Sequence, residues 1–129
     1  MSVRKWNGKK WIRNEKRLAI YLRDGLACAY CGATIEDGAL LTLDHLKPHS
    51  KGGDNKATNL VTCCRRCNSS RGNRSVRSFT VAVAEYLNHG AVATDIERHV
   101  RNCAARKIDT KEAKEIIERR GSWKAALNG

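Results

Sequence analysis

Two short runs decide how this chain folds. The first is Asp44-His45-Leu46-Lys47-Pro48-His49-Ser50-Lys51-Gly52-Gly53; the second is Asn59-Leu60-Val61-Thr62-Cys63-Cys64-Arg65-Arg66-Cys67-Asn68. Upstream stands Cys28-Ala29-Tyr30-Cys31. Cys28, Cys31, Cys64 and Cys67 form two C-x-x-C knuckles, the donor set of a closed tetrahedral zinc site. A redox C-x-x-C needs one pair in a thioredoxin-like βαβ setting, which the flanking sequence does not offer. The 32 residues between the knuckles exceed a simple zinc-ribbon spacing and leave room for an inserted β-hairpin.

The residues around the knuckles carry chemistry of their own. An imidazole titrates near neutral pH, so His45 is the candidate general base that takes a proton from water. Asp44 and Asn68 offer a carboxylate and an amide oxygen to a second, catalytic metal. Hard oxygen donors suit Mg²⁺ or Mn²⁺ better than Zn²⁺ or Ni²⁺, so Asn68→His should broaden use towards the latter. Asn59 is expected to orient His45 or to brace the loop before Leu60; a turn-forming Asn is the plainer alternative. Together these groups suit phosphodiester hydrolysis on a zinc frame.

At Asp44-His45, Pro48, Ser50 to Gly53, Asn59-Leu60 and Asn68 the chain resembles the HNH endonucleases, the ββα-metal nucleases, in an H-N-N form with Asn at the last position. The resemblance spans residues 14 to 74. It implies an α+β fold, a small ββα-metal core with structural zinc flanked by N-terminal and C-terminal α-helices. It also implies DNA cleavage, nicking or double-stranded, that leaves 3′-hydroxyl and 5′-phosphate ends, with the ββα element meeting DNA from the minor-groove side. Small proteins of this kind resemble those found near phage packaging genes and among restriction and mobile-intron nucleases.

Charge agrees with a polyanionic partner. The formal net charge is +12, and residues 1–75 hold 15 Lys/Arg against 6 Asp/Glu, whereas residues 76–129 hold 10 against 7. The excess lies where DNA would sit. Arg71, one helical turn beyond Asn68, is the first choice for a phosphate contact. Arg74, Arg65, Arg66, Lys47, His49 and Lys51 follow, although any one of them also reads as a solvated surface charge.

Three segments are expected: a basic arm over 1–13, a nuclease core over 14–75 and a helical extension over 76–129. In the arm, Trp6 and Trp11 read equally as stacking groups and as core cover. Asn14 reads as the cap of a helix over Glu15 to Asp24 that Gly25 stops, Leu40 to Leu46 as a strand, and Arg65 to Arg74 as the α element. Val76, Phe79, Val83 and Leu87 recur at helical spacing up to Gly90. Thr94-x-x-Glu97 and Asp109-x-x-Glu112 read as capping boxes, with Gly121 as a stop. The extension reads first as packing around the core and second as a docking surface for a protein partner, with Trp123 pinning the tail. Cys63, Cys103, His89 and His99 read as packing or surface residues.

No secretory signal and no apolar run of membrane length is visible, which points to an intracellular protein (the cytoplasm of a bacterial or phage-infected cell) with reduced thiols and no membrane partner. Monomer and dimer both remain open, as does the recognition sequence.

Overall fold

Strands β1 (Leu41–His45) and β2 (Leu60–Cys64) pair antiparallel, with Leu41 opposite Cys64 and His45 opposite Leu60. The computed structural model describes residues 11–87 and 91–128. In chain order it places α1 (Asn14–Arg23), β1, β2, α2 (Arg65–Arg71), α3 (Val76–Leu87), α4 (Ala93–Ala105), α5 (Thr110–Arg120) and α6 (Trp123–Asn128). Short 3-10 turns at His49–Lys51 and Ala57–Asn59 shape the loop between the strands. The result is the mixed α+β architecture expected: a two-stranded sheet running straight into a helix, wrapped by helices before and after. Among the described residues no helix is long and apolar enough to cross a membrane.

Strand alternation sorts the sheet between two apolar layers. Every residue of β2 is buried. Val61 and Cys63 join Val76, Phe79 and Val83 of α3 and Ile96, Val100 and Cys103 of α4. Leu60 joins Leu43, Ile12, Ile20 and Tyr21, with Trp123 and Leu127 packed alongside. Leu18 and Ala19 of α1 meet Ala113 of α5, against Ile116 and Ile117. Trp123 lies 6.2 Å from Tyr21, ring to ring, so it does tie the tail to α1.

Local signals explain most of the boundaries. Asp109 accepts the Glu112 N–H at 2.9 Å and opens α5 as its capping box predicts; Gly121, at φ 90°, closes it. Three expectations fail. Asn14 is the first residue of α1 rather than its cap, because Arg13 holds the extended cap position without a side-chain bond. Thr94 lies inside α4, which starts from Val92; Glu97 pairs with Arg77 and Arg101 instead of turning back on the cap. The α element stops at Arg71, because Gly72 turns the backbone to positive φ (53°), so Arg74 lies beyond the helix. Most of the basic arm, with Trp6, and also His89 and Gly90, lie outside the described residues.

Candidate active site and metal centre

The four knuckle cysteines meet. Their sulfur atoms all lie within 4.8 Å of one another, and Cys31 Sγ is 3.7 Å from Cys64 Sγ. Four thiolates at zinc bond length sit about 3.8 Å apart on a tetrahedron, so the spacing fits a zinc ion. The proton chemistry agrees. Cys28 is pushed down by hydrogen bonds from Cys31, Cys63 and Cys67, while sharing with Cys28 pushes Cys31 and Cys67 up. Without a cation one thiolate is favoured at the expense of its neighbours; a cation is what allows four. Cys64 closes β2 and caps α2, its sulfur accepting the Cys67 N–H at 3.4 Å. Cys63 is buried beside the four, between them and the α3–α4 core, and its sulfur donates to the Cys64 carbonyl at 3.4 Å.

Asp44 and His45 leave β1 on opposite faces. Asp44 is buried. One of its oxygens, Oδ2, accepts the Tyr30 hydroxyl at 2.8 Å and pairs with the Arg71 guanidinium. Oδ1 carries no hydrogen bond among the described residues. Burial pushes the carboxyl above the usual carboxylate range, against the pull of Arg71 and of the Tyr30 hydrogen bond. Tyr30 is held far above the usual phenol range by burial first and the Asp44 charge second, so it remains a donor.

Asn68, in the second turn of the ββα unit's helix, donates Nδ2 to Thr42 Oγ1 at 2.8 Å and to the Leu43 carbonyl at 3.1 Å. Those two bonds fix the amide against β1, one residue before Asp44, and leave Asn68 Oδ1 as a spare acceptor among the described residues. A carboxylate oxygen and an amide oxygen are thus each left without a hydrogen bond among the described residues, and both are of the hard type that divalent cations prefer.

His45 is half-buried at the strand end. Its Nε2 lies 2.8 Å from Asn55 Oδ1. The Trp11 ring tilts over it at 5.1 Å and His49 approaches edge-on at 6.2 Å. Asn59 is not its partner. The Asn59 amide accepts the Lys47 N–H at 2.9 Å and donates to the carbonyls of Lys47 and Asp54 at 3.2 and 2.8 Å. It therefore braces the 47–54 loop, and of the two roles expected for it this is the one the geometry displays. Gly53 makes the brace fit, because a Cβ there would collide with the Lys47 carbonyl.

A family model for the HNH endonucleases matches residues 28–82. Those residues are similar to an HNH endonuclease domain. Two curated relatives are CRISPR-associated endonucleases Cas9. The one from Actinomyces naeslundii is 46% identical over 50 residues, covering 38% of this chain and 4% of that protein. The one from Corynebacterium diphtheriae is 42% identical over 52 residues, covering 40% of this chain and 5% of that protein. The chain thus matches a small fraction of either relative's length. A solved structure, the type II-C Cas9 enzyme from Actinomyces naeslundii, aligns with a TM-score of 0.47 at 24% identity over 97% of this chain and 16% of that one.

Within the matched residues the basic side chains separate sharply. Arg65, Arg66, Arg74, Lys47, His49 and Lys51 are exposed. Arg66 lies over the Tyr86 ring and Arg74 over Phe79. Arg71 is corrected. At 2% exposure it cannot meet a phosphate. Four of its five donors go to Asp44, to the carbonyls of His45 (2.8 Å) and Leu46 (2.7 Å), and to the Arg74 carbonyl (2.9 Å). Sequence reasoning also missed Tyr30 and Asn55. Tyr30 sits inside the first knuckle, where its burial follows from Cys28 and Cys31 turning inward; Asn55 gave no local signal.

Proposed function

We propose that the chain is a metal-dependent endonuclease that hydrolyses DNA phosphodiester bonds and leaves 3′-hydroxyl and 5′-phosphate ends. One observation supports this reading: His45 ends β1 on one face, while on the other Asp44 and the Asn68 amide, bonded to Thr42 and Leu43, each keep an oxygen without a hydrogen bond among the described residues. His45 takes a proton from water; the resulting hydroxide oxygen bonds to phosphorus as the bond to the 3′ oxygen breaks, and that oxygen is protonated by solvent. Asp44 and Asn68 would hold a divalent cation, Mg²⁺ or Mn²⁺, whose chemistry is to neutralise charge on the phosphate and the leaving oxygen. Arg71 and Tyr30 hold Asp44 in register, and Asn59 holds the loop. Zinc on Cys28, Cys31, Cys64 and Cys67 is structural. Lys47, His49, Lys51, Arg65, Arg66 and Arg74 contact the DNA backbone, consistent with the basic half of the chain.

A second reading is a non-catalytic zinc-stabilised nucleic-acid-binding module, or a subunit of a phage packaging or restriction machine that cuts only with its partner. Supercoiled plasmid incubated with the zinc-loaded protein and EDTA, Mg²⁺, Mn²⁺, Ni²⁺ or Zn²⁺, beside His45→Ala, separates the readings. Nicking or linearisation strongest with Mg²⁺ or Mn²⁺, and absent in the variant, is expected. Tight binding without cutting by folded protein supports the second reading.

A further inference from the structure

Among the described residues, the base nominated by the sequence is met by an amide that no motif includes. Asn55 Oδ1 lies 2.8 Å from His45 Nε2. An amide oxygen only accepts, and a neutral imidazole carries one N–H, so with the amide oxygen facing the ring the proton sits on Nε2 and the lone pair on Nδ1. We infer that Asn55 is the positioning residue that fixes the His45 tautomer and makes Nδ1 the atom that takes the proton from water. The role rests on the proposed nuclease reaction, but the hydrogen bond does not.

The placement of Asn55 is held from both sides. Lys16 of α1 donates its ammonium to the Asn55 carbonyl at 2.7 Å. One residue earlier, Asn59 Nδ2 holds the Asp54 carbonyl at 2.8 Å. Asn59 therefore acts on His45 at one remove: it fixes the loop, the loop sets Asn55, and Asn55 sets the ring. The ring's remaining freedom is limited by Trp11 over its face and by the strand backbone, since the His45 carbonyl is bound to Arg71. A single hydrogen bond on Nε2 then suffices to define which nitrogen is basic.

Long-range ¹H–¹⁵N spectra of the full-length, ¹⁵N-labelled chain at about pH 8, where an ordinary imidazole is neutral, report the tautomer directly. The His45 signals are assigned by their loss in His45→Ala. Wild type should show the Nε2–H form. Asn55→Leu, which removes the acceptor, should shift His45 towards Nδ1–H, and Asn55→Asp, which keeps an acceptor oxygen, should retain Nε2–H. On plasmid, Asn55→Leu should lower kcat by about 10-fold or more with little change in KM, with kcat substantially recovered in Asn55→Asp. An Nδ1–H wild type overturns the inference, as does an unchanged tautomer in Asn55→Leu or an equal kcat loss in both variants. Failure of wild type to cut DNA counts against the nuclease reading alone, because the spectra decide the hydrogen bond without activity.

Discussion

Two arginines are buried against aspartates in this molecule, and they are built for different ends. Arg23 and Asp24 join the end of α1 to β2, with side chains 2% and 0% exposed. There both carboxylate oxygens are consumed: Oδ1 by Arg23, Oδ2 by Arg23 and by the Thr62 N–H. Arg23 adds bonds to the carbonyls of Ala57 and Leu60. Arg71 and Asp44 are buried almost as deeply, yet Asp44 keeps one oxygen in reserve. A buried ion pair whose every acceptor is used is a rivet. One that leaves an acceptor spare marks a place where something else can bind.

The comparison can be broken most forcefully at the rivet. Arg23→Ala leaves Asp24 buried without its partner and should cost about 3–5 kcal/mol, read as a lower denaturation midpoint, while cleavage per folded molecule stays unchanged. Asp44→Asn strands the buried Arg71 charge and lowers stability too, but its signature is in activity: plasmid cleavage per folded molecule should fall about 10²–10³-fold, the scale of losing one stabilising contact to developing charge. Arg71→Lys sharpens the contrast. An ammonium keeps the charge but cannot span the carbonyls of His45, Leu46 and Arg74 together, so about 1–3 kcal/mol of stability should be lost per orphaned group, with weaker cleavage alongside. The smallest effect belongs to the exposed network: Glu97→Gln, which removes the pairs to Arg77 and Arg101, should leave the thermal midpoint where it was. A cycle combining Arg23→Ala with Arg71→Lys should be close to additive if the two pairs are independent.

What could be read from the residues was whatever is local. The cysteine spacing marked the four sulfurs that converge, because two tight knuckles bring ligands together whatever lies between them. Strand alternation put Asp44 and His45 on opposite faces, and Asp109 with Glu112 marked a real helix start. Long-range choices were hidden. Helical spacing places Arg71 beside Asn68, but only the packing of α2 on β1 turns that guanidinium inward rather than towards solvent. Asn59 and Asn55 flank the same turn, and nothing in their neighbours tells which one reaches the imidazole; closure of the 47–54 loop decides it. Thr94 and Glu97 had the letters of a cap, but Glu97 found Arg77 on α3 and Arg101 a turn further on, and the cap fell two residues earlier, at Val92.

Cys64 is at once the last residue of a strand, the cap of a helix and one of four converging sulfurs. The frame and the cutting edge therefore share a hinge pin. Stripping the frame's ion should splay the joint between β2 and α2 and carry Asn68 away from Thr42 and Leu43, so a chelator should silence the protein even where it never touches the ion at the edge. Loss of activity in EDTA is then one signal with two origins. The order of add-back separates them: Mg²⁺ alone should revive protein exposed briefly, whereas protein stripped to completion should need Zn²⁺ during refolding before Mg²⁺ has any effect.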